Sequence, residues 1–147
     1  MSKWRWIGRS HIFMAIAAHA TPRCGGTYHI SRVPYEYAPP QLPPQTEWRA
    51  ETAESGFAVG VVNGPIVKAD DKDDLWSILL AWHSRNADEI ERPHRALGLW
   101  YHEGFWHIDI VEVISDKSLA LERAAKNGEI AIYDLSARQE IRESEKL

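Results

Sequence analysis

Residues 96–110 read Ala96-Leu97-Gly98-Leu99-Trp100-Tyr101-His102-Glu103-Gly104-Phe105-Trp106-His107-Ile108-Asp109-Ile110. Two apolar and aromatic runs flank Glu103-Gly104, and a two-residue loop of this kind joins antiparallel strands. With that loop fixed, His102 faces Phe105, Tyr101 faces Trp106 and Trp100 faces His107. Leu99 then faces Ile108, Gly98 faces Asp109 and Leu97 faces Ile110. Side chains alternate along a strand, so two faces follow. One holds Leu97, Leu99, Tyr101, Trp106, Ile108 and Ile110, a core face to be covered by helices. The other holds Gly98, Trp100, His102, Phe105, His107 and Asp109. A one-residue slip would mix the two sets, so the clean separation supports the register.

The return strand runs to Ile114. Asp116 is placed to cap a helix over 117–127, with Leu121, Ala124 and Ala125 inward and Gly128 as its stop. Residues 129–134 are a last strand. Upstream, Phe57–Val62 and Pro65–Lys68 flank Asn63-Gly64, a strong hairpin signal. Asp70 and Asp71 can cap a helix over 72–86, with Leu75, Ile78, Leu79 and Trp82 at helical spacing; Pro93 forbids its simple continuation. The order is ββα-ββα-β. Gly64 and Gly104 lie 40 residues apart, consistent with a degenerate internal repeat. The expected fold is α+β: a mixed, mainly antiparallel sheet of about five strands with two helices on one face. The expected organisation is a basic N-terminal arm (1–33), a Pro-rich linker (34–54), the α+β domain (55–135) and a charged tail (136–147).

The chain has 147 residues, 44% apolar and 26% charged, which fits one globular domain and excludes a wholly disordered chain or a coiled coil. No apolar run approaches the ~18 residues of a membrane-spanning helix. One cysteine, Cys24, excludes an intramolecular disulfide framework and a multi-cysteine zinc site. Residues 1–49 carry six Lys/Arg against two acids, and residues 50–147 carry eleven against nineteen. An acidic body argues against a phosphate backbone lying across it.

Lys3, Arg5 and Arg9 precede the apolar stretch 12–18, and Ala18-His19-Ala20 has a small-x-small pattern. A cytoplasmic protein is expected, with export after cleavage near Ala20 as the alternative. The same stretch can equally be a strand or helix of the domain, or an arm packed on it, and translation could also start at Met14. Lys3, Trp4, Arg5, Trp6 and Arg9 interleave cations and aromatics, a pattern able to bind single-stranded nucleic acid.

His102-Glu103-Gly104-Phe105-Trp106-His107 does not match the zinc-protease helix motif, because its histidines are five apart with a glycine turn between them. His102 and Asp109 lie toward opposite ends of their face, so His102, His107 and Asp109 cannot all reach one ion without distortion. His11, His19, Cys24 and His29 match no zinc spacing. Cys24 beside Arg23 could be a nucleophile, with no triad legible around it. No metal and no cofactor is assigned. Residues 70–74 read as a helix start, not a calcium loop.

Gly98-Leu99-Trp100, Trp106-His107-Ile108-Asp109, Ser115-Asp116-Lys117 and Ile130-Ala131-Ile132-Tyr133-Asp134-Leu135 resemble a module of small uncharacterised α/β proteins of actinobacteria and their phages. Gly56–Val61 is similar to the strand that often precedes it. The resemblance covers half to two-thirds of the chain and none of residues 1–49. It implies a cytoplasmic phage or mobile-element accessory protein, and no particular activity.

Three readings of the second hairpin face compete. The N-terminal arm covers it, through Trp4, Trp6, Ile12, Phe13 and Ile16; a protein partner or second copy docks on it; or it forms a small-molecule pocket. The leading expectation is a small soluble non-enzymatic interaction module binding through Trp100, His102, Phe105, His107 and Asp109. The alternatives are a small enzyme or ligand-binding protein, with His107 as general base and Asp109 orienting it, and a nucleic-acid-associated protein acting through the basic arm.

Overall fold

Arg95–His102 (β5) and Phe105–Ile114 (β6) pair antiparallel, with every partner from Leu97↔Ile110 to His102↔Phe105 as the alternation requires. Glu103 (φ 49°) and Gly104 (φ 87°) both take positive φ in the turn, a form whose twist matches the strands. The computed structural model describes residues 3–6, 8–20, 25–35, 45–68 and 72–142.

Among these residues the pair sits at the centre of an eight-stranded sheet in the order β1-β3-β2-β5-β6-β4-β7-β8. The other strands are β1 (Lys3–Trp6), β2 (Gly26–Pro34), β3 (Thr46–Thr52), β4 (Phe57–Lys68), β7 (Ala131–Asp134) and β8 (Gln139–Arg142). All neighbours are antiparallel. The helices are α1 (Arg9–His19), α2 (Lys72–Ile90) and α3 (Lys117–Lys126). The class is α+β as expected, with eight strands instead of five and three helices instead of two.

The first expected hairpin does not form. Phe57–Lys68 is one strand, paired with β6 from Phe57↔Ile114 to Lys68↔Phe105 and irregular between Gly60 and Val62 and between Asn63 and Ile66. Asn63 still pairs with Asp109, and the extra residue at Gly64-Pro65 is absorbed as a bulge. Packing explains it: a Cβ on Gly64 would lie 2.8 Å from the Trp82 ring and 2.7 Å from the Ile108 carbonyl oxygen. Gly64 is where α2 presses onto the sheet. The proposed repeat fails with this hairpin.

All three helices lie on one face. Ile12, Phe13 and Ile16 of α1 and Leu75, Leu79 and Trp82 of α2 form one core with Leu97, Leu99, Trp106, Ile108 and Ile110. Leu121 and Ala124 of α3 pack on Val59, Ile114 and Ile132, and Arg123 holds Glu112 at 2.9 Å on that same side. Burying each large side chain contributes roughly 1.5–3 kcal/mol, which places most of the stability here. Asp116 caps α3, accepting from the Leu119 N–H at 3.0 Å. Asp70 and Asp71 lie outside the described residues.

The expected boundaries dissolve for the same reason. Residues 3–6 and 26–34 are sheet strands, 9–19 is a core helix, and 46–52, assigned to the linker, is the strand joining β1 to β2. The alternation in Trp48, Ala50 and Thr52, all buried, is the signal that marks this strand. Residues 36–44, the centre of the Pro-rich segment, lie outside the described residues. The C-terminal stretch does not fray as a whole: Gln139–Arg142 closes the sheet against Ala131–Asp134.

Candidate functional site

No helix packs on the opposite face of β5 and β6. One end of it is closed by a small cluster of Ala58, Ala96, Val111 and Leu135. Toward the hairpin turn it is open. Trp100 is 42% exposed and Phe105 39%, with Ile66, paired beside His107, at 61%. The expectation that the N-terminal segment covers these rings is overturned for its described side chains. Ile12, Phe13 and Ile16 are fully buried under the helical face, because α1 packs against α2.

Within the open face, Trp100 and His107 stack with centroids 4.5 Å apart and planes 19° from parallel. This is the geometry of directly opposed cross-strand partners. His102 lies diagonally, 6.0 Å from the Trp100 ring and 6.2 Å from His107. Burial and the neighbouring His102 hold the His107 pKa below the usual histidine value.

Asp109 occupies the space over Gly98, where a Cβ would lie 2.1 Å from its Oδ1. The Trp100 indole, whose only donor is its N–H, donates to the carboxylate. Oδ1 is buried with no hydrogen-bond partner among the described residues. Burial pushes the pKa up to about 6 against the help of that hydrogen bond, and the Glu129 charge adds to the rise. The carboxylate thus braces Trp100 and makes no hydrogen bond to His107, so the expected base-and-orienter pair is not assembled. The site residues read from the sequence do meet on one face: Trp100, His102, Phe105 and His107 at its surface, Asp109 beneath them.

The basic N-terminal residues are divided. Arg9 donates to Ser84 at 2.8 Å and lies 5.9 Å from the Trp48 ring centroid, so it serves the fold. Arg5 is exposed, opposite Arg49 in the β1–β3 register. Lys3, Trp4 and Trp6 lie on the same edge strand. His19 bonds the Tyr28 hydroxyl at 3.0 Å, and His29 bonds the Arg95 carbonyl at 3.0 Å. Cys24 lies outside the described residues. Among the described residues no three His, Cys, Asp or Glu side chains converge as a metal cluster.

A second titratable centre lies under the helices. His83 is fully buried, with neither ring nitrogen hydrogen-bonded among the described residues. It packs 5.0 Å from Phe13 and 5.6 Å from Trp48, and its Nε2 is 4.0 Å from the Glu91 carboxylate. Arg32 holds that carboxylate by two bonds of 2.9 and 2.6 Å and covers Trp48 at 4.8 Å. Burial pushes the His83 pKa down to about 4. The signal for it was present: His83 follows Leu75 and Leu79 at the same four-residue step.

No family model, curated protein or solved structure matches the chain. No described helix is long and apolar enough to cross a membrane.

Proposed function

We propose that this chain is a small, non-enzymatic protein-interaction module that docks through the open face around Trp100, Phe105 and Ile66. One observation carries the reading: three helices cover one side of the sheet, while large apolar side chains stand exposed on the other. A contiguous exposed patch with aromatic anchors is the usual mark of a contact surface. The stacked Trp100–His107 pair, braced by Asp109, is held before any partner arrives, which lowers the ordering cost of docking. A protein partner or a second copy of the chain fits such a surface. A role as a phage or mobile-element accessory protein rests on the resemblance of residues 97–140 alone.

The first partner to test is a second copy. Sedimentation of the full chain from about 1 to 500 μM reads association in the affinity range of weak, specific contacts. Concentration-dependent mass that disappears in Trp100→Ser with Phe105→Ser, at unchanged circular dichroism, is the expected outcome. Association that persists unchanged in the double variant would remove this face from the reading.

A further inference from the structure

We propose that His102 and His107 form a two-histidine binding site for a borderline divalent transition ion such as Zn²⁺ or Cu²⁺. The hairpin register puts them on one face as diagonal cross-strand neighbours, with ring centroids 6.2 Å apart. Imidazole nitrogen is the ligand of choice for these ions, whereas Mg²⁺ and Ca²⁺ require oxygen. With metal–nitrogen bonds of about 2 Å, two imidazoles sharing an ion have centroids roughly 5 Å apart. The observed separation exceeds this by little. His102 can close it by rotation, because its side chain is 60% exposed beside the turn. His107 supplies the fixed partner, held by its stack on Trp100.

One further feature favours the site. The Glu103 carboxylate lies 3.7 Å from His102 Nε2, adding negative charge beside the site. Two protein ligands leave coordination positions for water, which implies an exchangeable ion of modest affinity. The site does not depend on the proposed docking role.

The experiment uses the full chain without a histidine tag. Zn²⁺ and Cu²⁺ are titrated at pH 7.5 by calorimetry, and Cu²⁺ also by tryptophan fluorescence. One ion per chain is expected, at a dissociation constant below about 100 μM. Losing a group that merely supports a ligand costs 10–100-fold at metal sites, so removing a ligand itself, as in His102→Ala or His107→Ala, should weaken binding at least about tenfold. His94→Ala, an exposed histidine elsewhere, should not. Because Trp100 is in contact with His107, the Cu²⁺ quench should lose amplitude in Trp100→Phe. Lowering the pH to 5.5 should weaken binding as protons compete. Binding in His102→Ala as tight as in the parent overturns the proposal, as does no binding up to about 1 mM ion.

Discussion

Asp109, half-buried with its Oδ1 enclosed, and His83, fully buried, bind protons in opposite senses on folding. The carboxyl is raised from 3.8 to about 6, so the folded state binds its proton more tightly. Its contribution is present in full below 3.8 and lost as pH rises through 6; the difference corresponds to about 3 kcal/mol. The imidazole is lowered from 6.5 to about 4, so the unfolded state binds its proton more tightly. Its contribution is present above 6.5 and lost as pH falls toward 4, again by about 3 kcal/mol. Glu91 opposes this, while Arg9 and Arg32 add to it. Between about pH 4 and 6 the two slopes oppose each other in the parent, and single variants separate them. Asp109→Asn should gain stability relative to the parent as pH rises from 4 to 7. His83→Leu, which also removes two unpartnered nitrogens, should gain relative to the parent as pH falls from 7 to 4. Urea midpoints across this range check both, and a pH-independent difference in either variant rejects the assignment for that residue.

Elements with local specification were legible, and elements decided by distant contacts were not. The β5–β6 hairpin carries its turn, its alternation and its register within fifteen residues, and all of these hold. Helix α3 likewise carries its own cap and, in Leu121 and Ala124, its stripe, while Ala125, expected inward, is exposed. Asn63-Gly64 is just as strong a local turn signal, yet β6 offers partners along the whole of β4 and α2 closes over Gly64. Tertiary pairing outweighs the turn preference there. Gly64→Val tests this account, because its side chain would have to displace Trp82 or the Ile108 backbone. A loss of roughly 1–3 kcal/mol is expected, the usual cost of overpacking. A cost that shrinks in the Trp82→Ala background would trace it to this close approach, whereas a cost unchanged there would reject that account. The outer edge of β4 beyond Ala58 is left unpaired by β7, and the bulges and Pro65 there blunt it against strand addition.

At the scale of the molecule, the decisive feature is that the described part of the first twenty residues belongs to the sheet and the core. The charged start, apolar middle and small-x-small end of this segment also fit an export signal, and local composition cannot separate the two roles. The packing of the described part supports the structural role. Ile12, Phe13 and Ile16 are fully buried against α2 and the sheet, and β1 pairs with β3 over four residues. Because α1 is committed to the helical side, its apolar residues cannot also cover Trp100 and Phe105. The open face and the buried N-terminal helix are thus two consequences of one packing choice. Cleavage near Ala20 would strip α1 from the larger core and leave Trp48, Leu79 and His83 facing water. Removal of even one such ring, as in Phe13→Ala, should cost about 3–5 kcal/mol. A fragment of residues 21–147 loses several of these groups at once, more than a typical domain's whole stability of about 5–15 kcal/mol can absorb alongside the lost strand. It should therefore show no cooperative thermal transition and poorly dispersed amide resonances, while the full chain melts cooperatively. A fragment that melts with the full chain's midpoint would show that α1 is a dispensable cover, and would support the reading of residues 1–20 as a removable leader.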